Sequence, residues 1–122
     1  MASHRQSLGR WGETLAEDYL SRKGYSLLER NFRSPFGEID LIVQKMQTLV
    51  FVEVKTRASE TYGLPEASIT VRKRQHLIQA AQAYLQSHLQ PDLDWRIDVI
   101  AIRKPANNNT QPEIIHFENA IT

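Results

Sequence analysis

The chain has 122 residues, of which 41% are hydrophobic and 24% charged, a composition typical of a globular domain rather than a disordered or fibrous protein. The absence of cysteine excludes disulfide frameworks, Cys-based zinc sites and thiol nucleophiles. A net charge of +1 is too small to attract nucleic acid without a local basic patch. No signal peptide and no apolar run of about 20 residues is evident, so we expect a single cytoplasmic domain over residues 1–122 and no membrane association.

The first half of the chain predicts one helix followed by three strands. Apolar residues at three- and four-residue spacing predict a helix over residues 8–22, with Ser7 as its N-cap and Gly24 in a left-handed turn after its end. Segments 25–32, 38–43 and 49–55 are rich in strand-forming residues. The short polar segment 44–48 indicates an antiparallel hairpin between the last two.

The second half predicts another helix and two more strands. After an irregular segment at 58–65, apolar positions from Ile69 to Leu89 predict an amphipathic helix that ends before Pro91. Strand 95–102 and an edge strand at 114–117, after an Asn-rich turn at 107–109, complete the order αβββαβ(β). The predicted fold class is α/β, with a mixed sheet flanked by helices.

Two acidic residues occupy the strand predicted at 38–43. Because strand side chains alternate, Glu38 and Asp40 are expected on the same face. The opposite face is expected to carry Ile39, Leu41 and Val43.

Glu53 and Lys55 interrupt the most apolar strand of the chain. They are expected on one face, opposite the apolar face formed by Val50, Val52 and Val54. A buried carboxylate costs several kcal/mol unless a cation or hydrogen bonds compensate. For an isolated Glu-x-Lys, an exposed cross-strand pair is the more common arrangement, worth about 0.2–1 kcal/mol.

The neighbouring acidic pair changes this balance. A hairpin can bring Asp40 and Glu53 together, where they would repel each other unless a cation lies between them. Carboxylate oxygens suit Mg²⁺ or Mn²⁺ better than zinc, and the histidines at 4, 76, 88 and 116 show no ligand spacing and are expected at the surface. With Lys55 alongside, the set is typical of a site that cleaves phosphodiesters.

These residues resemble a known superfamily. The segments GEIDLI at 37–42 and LVFVEVKTR at 49–57 are similar to the motif of the PD-(D/E)xK nucleases, with Ile39 in place of the motif's proline. Within that superfamily the chain resembles the YraN-like family of small bacterial proteins. The likeness extends to Gly12 and Glu13, to RNFR at 30–33 and to RIDV at 96–99.

The resemblance implies a restriction-endonuclease-like core related to archaeal Holliday-junction resolvases. It implies that Asp40, Glu53 and Lys55 are catalytic, and that Asp40, Glu53 and Glu13 bind Mg²⁺ or Mn²⁺. Glu38 belongs to the family's GEID signature, and we assign it a supporting role. These roles follow from the resemblance and not from the spacing alone.

Other charged residues leave alternatives open. Glu17 lies one helical turn after Glu13 and either reaches the metal or faces solvent, with solvent favoured. Asp98 interrupts an apolar strand, and a structural pair with Arg96 or another cation is at least as good an interpretation as a site role. Candidate phosphate-binding residues are Arg57, Arg72, Lys73 and Arg74.

The leading hypothesis is a divalent-metal-dependent endonuclease acting on DNA, including branched or structured DNA. Cutting two strands of a junction needs two sites, which a homodimer would supply, although nothing in the sequence shows one. One alternative is a catalytically weak or inactive module on a nuclease fold that binds nucleic acid or protein. Another is a purely structural ion network, which neutralisation of Asp40 should destabilise.

Overall fold

The computed structural model describes residues 4–57, 69–88, 92–107 and 109–122. The predicted irregular segment 58–65 and the predicted helix end near Leu89 and Pro91 lie outside these ranges. The elements are α1 (His4–Arg22), β1 (Ser26–Ser34), β2 (Gly37–Lys45), β3 (Thr48–Arg57), α2 (Val71–Ser87), β4 (Asp94–Arg103) and β5 (Glu113–Phe117). The predicted α/β class and the element order αβββαβ(β) are confirmed.

The strands form one mixed sheet and stand in chain order from β1 to β5. β1, β2 and β3 are antiparallel neighbours. β4 runs parallel to β3, and β5 lies antiparallel to β4 at the edge. Because parallel neighbours need a crossover connection, the chain passes across the sheet through α2 between β3 and β4. The predicted hairpin and the predicted edge strand are both confirmed.

Each face of the sheet is covered by one helix. The core under α2 combines Leu77, Ala80, Ala81 and Tyr84 of the helix with Ile42, Phe51, Ile97 and Val99 of the sheet. The core under α1 combines Ala16 and Leu20 with Leu41, Val50, Val52, Ile100 and Ile102. β3 and β4 are therefore buried on both sides, which explains why their sequences read as nearly continuous apolar runs.

The predicted start of α1 is wrong, and its predicted end is confirmed. The helix begins at His4, so Ser7 lies inside it and is not an N-cap. The apolar stripe marks only the part that packs on the sheet, and the polar residues before it extend the helix because none of them breaks it. At the other end Gly24 has a φ of 91°, and the N–H of Tyr25 donates to the carbonyl of Leu20 at 3.0 Å, which closes the helix.

α2 begins one residue after Thr70, whose hydroxyl accepts a hydrogen bond of 3.1 Å from the N–H of Lys73. Ile69 was expected in the helical stripe but lies before this cap, buried against the α2 core. Its apolar character reflects burial rather than helical position. Neither helix in the described ranges has the length and hydropathy to cross a membrane.

Candidate metal and nucleic-acid site

Asp40 lies where β2 and β3 part. The paired register of the two strands extends as far as Leu41 opposite Val52. At the next position the Asp40 Oδ2 atom accepts a hydrogen bond of 2.8 Å from the N–H of Val54. A side chain thus takes the place of a backbone acceptor, and it satisfies an N–H group that the sheet ladder would otherwise bind.

The predicted alternation along β2 is wrong at this point. Ile39 is buried in the core under α2, whereas Leu41 and Val43 are buried in the core under α1. Positions 39, 41 and 43 would share a face only if the side chains alternated without interruption along the strand. The strand is irregular at Asp40, so the side chains that follow lie on the other face. On β3 the predicted apolar face is confirmed, since the core under α1 contains Val50, Val52 and Val54.

Glu53 is the buried carboxylate of the site. Its side chain is 7% exposed, and Oε1 lies 3.6 Å from the Nζ atom of Lys73. Oε2 has no hydrogen-bond partner among the described residues. Burial, followed by repulsion from Asp40, raises the pKa of Glu53 to about 7. Because buried carboxylate oxygens are ordinarily satisfied, this atom is a candidate ligand for a cation.

Asp40 belongs to the same electrostatic cluster. Burial raises the pKa of its carboxyl group, and repulsion from Glu38 adds to the effect. The ammonium groups of Lys73 and Lys55 act in the opposite direction, and both also attract Glu53. The structure therefore brings Asp40, Glu53 and Lys55 into mutual electrostatic contact, as the hairpin predicted, while their chemical roles stay predictions.

Glu13 approaches these acids from α1. The preceding residue, Gly12, lies so close to β3 that a Cβ atom there would stand 2.0 Å from the Oγ1 atom of Thr56. Burial, then repulsion from Asp40, then repulsion from Glu38 raises the pKa of Glu13 to about 7. A glycine at this close approach is what allows α1 to hold Glu13 beside the strand acids.

Asn31 is a site residue that the sequence reasoning missed. With its amide oriented to satisfy both groups, the side-chain nitrogen donates to Oε1 of Glu38 at 3.0 Å and to Oε1 of Glu13 at 3.1 Å. The residue has a φ of 51°, a conformation that Asn tolerates better than most residues. It lies in the segment RNFR, which carried part of the family resemblance but no assigned role. Asn31 links α1 to the acidic signature of β2.

The four predicted phosphate-binding residues do not occupy equivalent places. Lys73 reaches the acids from the first turn of α2, and its side chain is 39% exposed. Arg72 and Arg74 flank it and are exposed. Arg57 ends β3 and is half-buried. Of these residues, the structure thus pairs Lys73 with the acids.

A second pair of cations stands on the other side of the acids. A cleft of about 450 Å³ between α1 and β2 is lined by Glu13, Asn31 and Glu38 together with Arg10 and Arg33. Of the two arginines, Arg33 is the one for which an ion pair is observed, with its Nε atom 3.9 Å from Oε2 of Glu38. Neither arginine was predicted to have a role; Arg33 lies beside Glu38 because the two residues are paired across β1 and β2.

Glu17 does not join the acidic cluster. The Nε and Nη2 atoms of Arg30 donate to its two carboxylate oxygens, at 2.7 Å and 2.5 Å. This hydrogen bonding lowers the pKa of Glu17. Of the two acids on this face of α1, the structure therefore brings Glu13 to the site and pairs Glu17 with β1.

Asp98 forms a separate buried network. Its carboxylate accepts hydrogen bonds from Arg96 Nε at 2.9 Å, from His116 Nε2 at 2.7 Å and from the N–H of Asn119 at 2.8 Å. Burial alone would raise the pKa of Asp98, but the bonds from His116 and Arg96 outweigh it and hold the pKa below its ordinary value. The side chain of His116 is 7% exposed, so the surface prediction is wrong for this histidine.

Carboxylate oxygens are the type of ligand that hard divalent ions such as Mg²⁺ or Mn²⁺ prefer. Within the described ranges, no three carboxylate or imidazole side chains form a ready-made ligand set. Mg²⁺ does not require one, because it retains several waters and binds through one or two carboxylates together with substrate phosphates. Asp40 and Glu53 offer such a pair, and the Oε2 atom of Glu53 has no competing donor among the described residues.

Comparison with known proteins identifies the family. The model of the family described as "Uncharacterised protein family UPF0102" matches residues 12–102. A UPF0102 protein of Syntrophotalea carbinolica is 41% identical over 120 residues, covering 98% of this chain and 95% of the relative. A UPF0102 protein of Thermodesulfovibrio yellowstonii is 46% identical over 116 residues, covering 95% of this chain and 96% of the relative.

The chain also aligns with the solved structure of another protein. The structure of Pyrococcus furiosus SfsA in complex with Ca²⁺ matches 93% of this chain and 63% of that chain, with a TM-score of 0.43 and 16% identity. The chain thus spans less than two thirds of SfsA. The family match spans the acids and lysine of the candidate site, from Glu13 to Lys55. The resemblance to the YraN-like family is confirmed at this level, and the chain belongs to the UPF0102 family.

Proposed function

We propose that this protein is a Mg²⁺- or Mn²⁺-dependent endonuclease that hydrolyses phosphodiester bonds in branched or otherwise structured DNA. The observation that carries the proposal is the environment of Glu53. Its carboxylate is buried, one oxygen lacks a donor among the described residues, and the charges around it are Asp40, Lys55 and Lys73. Crowded carboxylates beside ammonium groups suit both a divalent ion and a phosphate.

Asp40 and Glu53 would hold the divalent ion, with Glu13 near enough to contribute. When bound, the ion would polarise a phosphate oxygen and activate water. The chain's own part is to hold two carboxyl groups close together where one ion can bind both. Burial raises the pKa of Asp40, and the hydrogen bond from Val54 acts against that effect because it stabilises the charged form of the carboxyl group.

Lys55 would act on the scissile phosphate. It is two residues from Glu53 on β3, and its ammonium attracts both Glu53 and Asp40. A fixed cation in this position orients the attacking water or stabilises the negative charge that develops on the phosphate oxygens. Its role differs from that of a general DNA-binding lysine, which would contact phosphates away from the reacting bond.

Basic side chains on both sides of the acids support a DNA substrate. Arg72 and Arg74 are exposed at the start of α2, and Arg10 and Arg33 line the cleft between α1 and β2. A DNA strand laid across the acids would present phosphates to both groups of basic residues. These residues form the local basic patch that DNA binding needs, because a net charge of +1 is too small to attract DNA by itself. Each contact with a phosphate adds salt-dependent affinity.

The test is cleavage of a panel of substrates by the purified protein. The panel contains flaps, forks, four-way junctions, single strands and RNA, each with Mg²⁺ or Mn²⁺. We expect structured DNA to be cut, and Asp40→Asn, Glu53→Gln and Lys55→Ala each to lower the rate by about 10²-fold or more. Asp18→Asn is the matched control, because Asp18 is an exposed acid paired with Arg22 on α1.

Two other results would contradict the proposal. Metal-independent binding without product would favour a nucleic-acid-binding module on the same fold. An absence of binding to every substrate would favour a protein-interaction role.

A further inference from the structure

Among the described residues, Lys73 is the cation that forms an ion pair with the buried acid Glu53. Its Nζ atom lies 3.6 Å from Oε1 of Glu53, and its ammonium also attracts Asp40. The contact uses one carboxylate oxygen and leaves Oε2 without a donor among the described residues. Lys73 therefore neutralises the acids only in part.

We propose that Lys73 is an exchangeable counter-cation: a divalent ion that binds Asp40 and Glu53 displaces its ammonium, which then contacts a phosphate of the nucleic acid. This inference rests on the proposed function, because it assumes that the acids bind a metal. The inference adds Lys73, a residue outside the strand motif, to the site. It also couples metal binding to DNA binding, because the metal frees Lys73 to contact a phosphate. Lys73 is thus a substrate-positioning residue that the metal releases.

The first argument is competition for the same oxygens. An ammonium and a divalent ion cannot both make close contact with the carboxylates without repelling each other. Both Lys55 and Lys73 carry flexible side chains, but among the described residues it is the ammonium of Lys73 that forms an ion pair with Glu53. Lys73 belongs to a different element, and four rotatable bonds separate its ammonium from the start of α2, so it can leave the acids while the helix stays in place.

The second argument is the position from which Lys73 would meet a phosphate. Its side chain is 39% exposed, whereas that of Glu53 is 7% exposed, so the ammonium lies between the buried acid and solvent. The first turn of α2 contains no acidic residue that could hold a released Lys73. Arg72 and Arg74 are exposed on either side of it. An ammonium that leaves Glu53 therefore enters a surface already suited to an anionic backbone.

The metal half is tested by calorimetric titration of Mn²⁺ into the protein without nucleic acid. We expect Lys73→Met to bind Mn²⁺ about three- to tenfold more tightly than wild type, because the competing ammonium is gone. Lys73→Arg should bind no more tightly than wild type, because it keeps the charge. Lys45→Met is the matched control: Lys45 ends β2 with its Nζ atom 5.1 Å from the centre of the Tyr25 ring, and its removal should leave Mn²⁺ affinity unchanged.

A melting experiment covers the case in which a variant is poorly folded. Saturating Mn²⁺ should raise the melting temperature of Lys73→Met by more than it raises that of wild type, because the variant lacks its internal cation. An equal or smaller rise, or an unchanged or weaker Mn²⁺ affinity, would overturn the competition.

The phosphate half is tested by fluorescence anisotropy with a labelled four-way DNA junction. With Ca²⁺ as the metal, Lys73→Met should lower DNA affinity about threefold or more relative to wild type. Without metal, the same substitution should have a smaller effect, because Lys73 is then held by Glu53. An equal effect with and without Ca²⁺ would make Lys73 an ordinary phosphate contact and overturn the exchange.

These measurements separate the inference from the proposed function. If Lys73→Met tightens Mn²⁺ binding and shows the Ca²⁺-dependent loss of DNA affinity, but wild type cuts no substrate, the exchange stands and the endonuclease activity fails. If wild type cuts DNA but Lys73→Met leaves Mn²⁺ affinity unchanged, the exchange fails alone. If wild type binds no Mn²⁺, both fail.

Discussion

The carboxylate of Asp40 accepts a hydrogen bond of 2.8 Å from the N–H of Val54, so one acidic side chain joins β2 to β3 and also contributes charge to the site. These two roles can be separated. Asp40→Asn keeps an acceptor for Val54 and removes the charge, whereas Asp40→Ala removes both. The pair therefore distinguishes a metal site from a structural ion network.

We expect the two Asp40 variants to differ in metal-free stability. Asp40→Ala should lower the free energy of unfolding by about 1–3 kcal/mol, because it leaves the Val54 N–H without its acceptor. Asp40→Asn should leave it unchanged or raise it by up to about 1 kcal/mol, because it relieves repulsion with Glu53 and Glu13. Urea titration measures both, and equal destabilisation by the two variants would indicate a structural network instead.

The raised pKa of Glu53 predicts a pH dependence of stability. The pKa of Glu53 is about 7 in the folded protein and near its ordinary value of 4.5 in the unfolded chain, so between these values the folded state holds a proton that the unfolded chain has lost. The free energy of unfolding of the metal-free protein should therefore fall as pH rises from 4.5 to 7. The contribution of Glu53 is on the order of 3 kcal/mol.

Glu53→Gln isolates that contribution. Between pH 4.5 and 7 the variant should lose less stability than wild type in urea titrations. Glu17→Gln is the control, because hydrogen bonding to Arg30 lowers the pKa of Glu17. Removing the Glu17 carboxylate should therefore leave the fall in stability between pH 4.5 and 7 in place. A Glu53→Gln profile parallel to that of wild type would contradict the assignment of a protonated, buried Glu53 near neutral pH.

Gly12 should be sensitive to a single added methyl group. Gly12→Ala places a Cβ atom 2.0 Å from Oγ1 of Thr56, so the Thr56 side chain or one of the two elements must shift, and we expect a loss of about 1–3 kcal/mol. Gly9→Ala is a matched control on the same helix with nothing within 4 Å, and it should stabilise by about 0.5–1 kcal/mol. Thr56→Ala should rescue Gly12→Ala in part. Equal effects at positions 9 and 12 would refute the close approach.

Asp98 should matter for stability but not for metal binding. Asp98→Asn removes the charge that Arg96 and His116 share, and we expect a loss of about 3–5 kcal/mol, as for other broken buried pairs. The remaining folded protein should bind Mn²⁺ with wild-type affinity in calorimetry. A stable variant with weakened Mn²⁺ binding would instead place Asp98 in the functional site.

The sequence predicted the elements whose signals are local. Runs of strand-forming residues and a short polar turn identify the β2–β3 hairpin, and Gly24 identifies the end of α1, because each depends on neighbouring residues alone. The face occupied by Ile39 was not predictable in the same way. It depends on the parting of β2 from β3 at Asp40, which involves Val54, fourteen positions away.

The site was predictable in part for the same reason. Asp40, Glu53 and Lys55 come together because a hairpin fixes their register. Asn31 and Lys73 join the acids through tertiary contacts from β1 and α2, and no spacing in the sequence specifies how far those side chains reach. The resemblance supplied Glu13, whose approach depends on the contact between α1 and β3.

The most direct test of the central claim is a crystal structure of the protein soaked in Mn²⁺, with anomalous diffraction used to locate the ion. We predict one strong anomalous peak at coordination distance, about 2.1 Å, from carboxylate oxygens of Asp40 and Glu53, and no peak there in Asp40→Asn crystals. Acids that remain without an ion at saturating Mn²⁺, with Lys73 still in contact with Glu53, would contradict the account.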